Sequence, residues 1–100
     1  MIVGRVVGTV VCTQKDHRME GTRLMVVQPV SIADQASEGK PLVAVDTVGS
    51  GIGELVMVCS GSSARQTSRT VNTPTDASIM GIVDNIELLG SLVYRKQDEK

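Results

Sequence analysis

The chain has 100 residues, 41% hydrophobic and 21% charged, and its 10 Lys+Arg against 11 Asp+Glu leave a formal net charge of −1. That size holds one domain around one core. A near-neutral charge lacks the phosphate-neutralising surface on which nucleic-acid binding rests, one aromatic residue leaves almost nothing for bases to stack on, and no apolar run approaches the roughly 20 residues that cross a bilayer.

The apolar residues are mostly β-branched: 16 Val and 6 Ile, joined by 8 Thr, against 6 Leu and 5 Ala, with no Phe or Trp. Such side chains lose freedom in helices and pack well on pleated sheets, so the composition predicts a β-rich fold. Without large aromatics, which bury the most area per residue, a domain this small gains from burying more surface against copies of itself. Assembly is therefore expected before any motif is considered.

In chain order, Met1 to Thr13 reads as a first strand apolar on both faces, with Val3, Val7 and Val11 on one and Ile2, Val6, Val10 and Cys12 on the other. Gly4 and Gly8 share a face and fit close approach of another backbone. Residues 14 to 22 form a polar loop, Arg23 to Ile32 a second strand bent by Pro29, and Ala33 to Pro41 a second loop. Leu42 to Val48 and Glu54 to Ser60 are the third and fourth strands, separated by Gly49-Ser50-Gly51-Ile52-Gly53. A short helical turn is expected near Ser62 to Gln66, capped by a serine. A long fifth strand, Ala77 to Leu89, is broken by Gly81 and Asp84; after Gly90 comes a final strand, Ser91 to Tyr94. Residues 1–95 make the single domain, and the charged tail 96–100 is expected to fray. Five or six short strands with one helical turn predict a small all-β barrel. The opening Met1-Ile2-Val3-Gly4-Arg5 lacks the features of a secretory signal, so Cys12 and Cys59 are expected as reduced, buried thiols in the cytosol.

The candidate chemistry is sparse. Gly49–Gly53 has a G-x-G-x-G pattern, but phosphate-binding glycine loops open a helix, whereas here a strand follows and Glu54 would repel an anion. A tight turn explains the glycines better. Ser62 or Ser63 with His17 as base and Asp46 or Asp84 as orienter is conceivable as a hydrolytic triad, yet the nucleophile-elbow pattern is missing and His17, between Asp16 and Arg18, reads as solvated. Cys12, His17 and Cys59 lack metal-ligand spacing. Arg65 and Arg69 read as ion-pair or interface residues. No catalytic residue, metal or cofactor is assigned.

The two small-residue clusters carry a resemblance. Val45-Asp46-Thr47-Val48-Gly49-Ser50-Gly51-Ile52-Gly53-Glu54, followed by Val56-Met57-Val58-Cys59-Ser60-Gly61-Ser62-Ser63-Ala64-Arg65, is similar to the signature of the bacterial microcompartment vertex proteins of the EutN/CcmL family. Gly8 to Lys15, Gly21 to Val27 and Gly81 to Asp84 fit the same pattern, in order, from residue 1 to about 95. Ser50 stands where Ala is common and Arg23 where Lys is common. The resemblance implies a five-stranded barrel related to the OB-fold, assembled as a homopentamer that closes the five-fold vertices of a polyhedral shell whose facets are hexameric shell proteins, with a narrow axial pore. It implies no enzyme activity, no nucleic acid and no membrane. Gly49, Ser50, Gly51, Ile52, Gly53, Glu54, Ser62, Ser63, Ala64 and Arg65 become candidates for the pore or the subunit contacts, with Arg65 able to reach Glu54 or Asp84 of a neighbour. The alternative from fold alone is an OB-like module binding nucleic acid or another ligand.

Overall fold

Runs of β-branched residues punctuated by glycine and polar turns produce the strands expected of them. The computed structural model describes residues 1–14, 16–19, 21–61 and 76–99. Among these it has β1 (Ile2–Val10), β2 (Arg23–Pro29), β3 (Leu42–Asp46), β4 (Leu55–Ser60), β5 (Ala77–Ile82), β6 (Asn85–Leu88) and β7 (Ser91–Arg95). The first five close a barrel in the order β1-β2-β3-β5-β4, while β6 and β7 form a separate two-stranded sheet. All neighbours in the barrel are antiparallel except β3 and β5, which run parallel and close the cylinder through Val45–Ser78 and Asp46–Ile79. Closure leaves these five strands without a free edge.

Val6, Met25, Val27, Ala44, Val56, Val58, Ala77 and Ile79 fill the interior. Gly4 permits the tight packing at one end of β1: a Cβ there would lie 2.4 Å from Val27 Cγ1 and 3.0 Å from the Gln28 carbonyl oxygen. The close approach expected at Gly4 is therefore real, whereas a Cβ at Gly8 would make only ordinary contacts with Val26. A second apolar cluster, Val30, Leu55 and Tyr94 with Val3, Val83 and Ile86 against it, seats the β6–β7 hairpin on the barrel. Its turn is Leu89-Gly90, both at positive φ (51° and 81°), the backbone twist that two-residue hairpin loops favour.

Several expectations need correction. The first strand ends at Val10, whose partner is Leu24, near the start of β2. With no strand beside them, Val11 is 88% exposed and Cys12 is exposed too, so only Cys59 is the buried thiol expected. Val7 faces outward, opposite the buried Val6, and a bulge between Val6 and Gly8 breaks the alternation from there on. The second strand stops at Pro29; Val30 makes an isolated bridge to Ser37 instead. The fifth strand is two, separated by Val83 and Asp84: Val83 N–H still bonds the Leu55 carbonyl of β4, and beyond it β6 pairs with β7 instead. Gly81 breaks nothing and pairs with Met57. Residues Lys96–Asp98 form a 3-10 turn tied to the barrel rather than a fraying tail. The helical turn expected near Ser62 falls outside the described residues.

Candidate functional site

The loop between β3 and β4 is built around a carboxylate. Asp46 ends β3 with its side chain only 1% exposed. Its Oδ1 accepts the Val48 N–H at 3.1 Å, and its Oδ2 accepts the Ser50 N–H at 2.9 Å and Arg23 Nη1 at 3.0 Å. An aspartate that accepts from amides two and four residues on folds the chain back over itself, and the guanidinium compensates a charge otherwise costly to bury. Thr47 Oγ1 adds a 2.6 Å hydrogen bond to the Ile79 carbonyl, pinning the loop to β5.

The glycines make the rest of the loop possible. Gly49 and Gly53 have φ of 76° and 95°, a region side chains disfavour. Gly51 differs: its Cβ would meet only Glu54 Oε1, at an ordinary 3.5 Å. Glu54 Oε1 accepts the Gly51 N–H at 2.6 Å, and Glu54 N–H donates to the Gly51 carbonyl at 3.2 Å. The far end is sewn to β1, with Gly53 N–H on the Val6 carbonyl and Val6 N–H on the Glu54 carbonyl.

This arrangement decides between the readings of G-x-G-x-G. β4 follows directly, as expected, so no helix N-terminus opens here. Glu54 supplies the anion that the Gly51 amide accommodates, so a phosphate would meet an occupied donor and a like charge. The loop is a tight turn whose most exposed side chain is Ile52, at 66%, with Val48 at 39%. Ser50 points the other way, 1% exposed, and its Oγ has no hydrogen-bond partner among the described residues.

Of the residues singled out in the sequence, Gly49, Ser50, Gly51, Ile52, Gly53 and Glu54 come together in this loop, whereas Ser62, Ser63, Ala64 and Arg65 lie outside the described residues. Asp46 is fully engaged in holding the loop. His17 is exposed beside Asp16. The Asp16 carboxylate is held well below the usual range by its hydrogen bonds from the Arg18 side chain and backbone. Glu54 faces Lys96 of its own chain, 2.5 Å from Oε2. Hydrogen bonds from Lys96 and then from the Gly51 amide pull the Glu54 carboxyl below its ordinary value, against desolvation and the charge of Asp46. Sequence reasoning missed Arg5, Lys96 and Glu99, which also hold the loop. Asp46 itself carried a signal, an Asp two residues before Val48-Gly49 in a turn-rich stretch.

With this geometry in place, comparison with known proteins is direct. The family described as ethanolamine utilisation protein EutN/carboxysome matches residues 1–84. The chain is 45% identical over 87 residues to the bacterial microcompartment shell vertex protein GrpN of Rhodospirillum rubrum (strain F11), covering 87% of this chain and 97% of that protein. The solved structure of Gloeobacter violaceus CcmL superposes with a TM-score of 0.92 at 37% identity, over 98% of this chain and 100% of that one. The GrpN pentameric microcompartment shell protein from Rhodospirillum rubrum superposes at 0.76 with 43% identity, over 89% and 99% of the two chains.

Proposed function

We propose a function from one premise: this chain belongs to the EutN/CcmL family. It is a structural protein of a bacterial microcompartment, a vertex subunit that forms a pentamer in a shell lying in the cytoplasm. The observation that carries this reading is the near-complete coverage in both directions, 87% of this chain with 97% of GrpN and 98% of this chain with 100% of Gloeobacter violaceus CcmL.

The physical reading agrees. The polar groups of the loop are spent on holding it: the Asp46 carboxylate on Arg23 and two amides, that of Glu54 on Lys96 and one amide. The role is mechanical, without catalysis, cofactor or nucleic acid. Around a five-fold axis each chain presents one surface to the next and a different surface to the previous one. Gly51 and Ile52, at the displayed tip of the loop, are assigned to the subunit contact or the rim of a narrow axial opening. Ser62, Ser63, Ala64 and Arg65 keep the same assignment on the resemblance. The pentamer's outer surface meets hexameric shell proteins.

Co-expression with hexameric shell proteins tests the vertex role. With this chain present, electron microscopy should show closed polyhedral particles; without it, particles with gaps or open tubes. The same particle population in both cases would contradict the assignment.

A further inference from the structure

The last residues reach back to the glycine loop through contacts that shell closure alone does not explain. Lys96 Nζ pairs with Glu54 Oε2, and the other oxygen of that carboxylate receives the Gly51 N–H. Arg5 lies between loop and tail: Nη1 donates to the Gly53 carbonyl at 2.8 Å and Nη2 to Glu99 Oε1 at 3.0 Å. The tail is itself placed by Lys96 N–H on the Asp84 carbonyl and Glu99 N–H on the Lys96 carbonyl. Both glycines on either side of Ile52 are thus held by groups whose charged partners sit at residues 96 and 99, beyond the matched span 1–84.

We infer that residues 96–99 are an electrostatic strap that fixes the glycine loop in the shape it presents to a neighbouring subunit. The second half of that statement rests on the assignment of the loop to the subunit contact. An exposed ion pair on its own stabilises little. These two act on one short, glycine-rich segment with many alternative conformations, so they narrow what the loop does rather than how stable the barrel is. Because all four side chains are partly exposed, the strap loosens as salt shortens the reach of charge, from about 10 Å at 0.1 M to about 3 Å at 1 M.

The test uses the full chain with Lys96→Met, which keeps most of the side chain's length and removes the charge, and Lys96→Arg, which keeps the charge. Amide hydrogen exchange at Gly51 and native mass are read on the same samples. Lys96→Met should exchange about three- to fivefold faster at Gly51, and Lys96→Arg should stay at the wild-type rate. Raising NaCl to about 1 M should speed exchange more in wild type than in Lys96→Met, which keeps only the Arg5–Glu99 pair. Wild-type exchange in Lys96→Met overturns the strap. Faster exchange together with a ring that dissociates at higher protein concentration supports strap and contact alike. Faster exchange with an undisturbed ring leaves the strap standing and overturns the placement of the loop at the subunit contact.

Discussion

Asp46 and Ser50 show how single side chains decide the loop. One carboxylate takes two backbone amides and a guanidinium, so the chain reverses without a helix or an extra strand. Ser50 gains its place through its N–H; its hydroxyl is buried without a hydrogen-bond partner among the described residues. A hydroxyl left in that state costs roughly 1–3 kcal/mol against its hydrated form. Ala at this position would keep the amide and omit the hydroxyl. Ser50→Ala is therefore expected to stabilise the protein by about 1 kcal/mol, a rise of about 4–8 °C in Tm for a domain of this size. Thermal unfolding of both proteins at equal concentration checks this, since assembly makes Tm depend on concentration. A fall of similar size would mean that the hydroxyl holds an ordered water.

At the scale of elements, local chemistry was legible and partnership was not. Runs such as Leu42–Val45 and Leu55–Cys59 announced β3 and β4, and the glycines announced the turn between them. The ends of β1 and β2 depended on where the neighbouring strand stops, which no periodicity records; Val11 and Cys12 look like strand and lie exposed for that reason. The docking of the tail was equally hidden, because its ion pairs join residues 42 and 94 positions apart. One of those pairs carries a pH dependence. The folded Glu54 carboxyl titrates below its unfolded value, chiefly through Lys96 and the Gly51 amide, with Asp46 opposing. Its contribution is therefore complete above the unfolded value, about 4.3, and is lost as pH falls through the folded one. The stability difference between wild type and Glu54→Gln should stay constant from neutral pH to about pH 5 and shrink below about pH 4. Denaturant unfolding across that range measures it. A difference that stays flat to the acid end would show that the Glu54 charge adds nothing.

For the whole molecule, composition already pointed to assembly, and the paired small-residue clusters pointed to the family. The strand pattern predicted a small barrel, but not the strand order that closes it. The parallel β3–β5 pairing that closes it spans the whole of β4 in sequence, and only tertiary contacts create it. The barrel leaves Ile2, Val7, Val43 and Met57 substantially exposed, and the hairpin adds Leu92 and the 97% exposed Leu89, an outer surface consistent with a chain made to be covered by others. The most direct measurement is the mass of the native assembly at modest salt. Five chains of 10.6 kDa each give about 53 kDa, and a dominant species there is what a vertex subunit requires. A chain that stays at 10.6 kDa at high concentration would contradict the account at its centre.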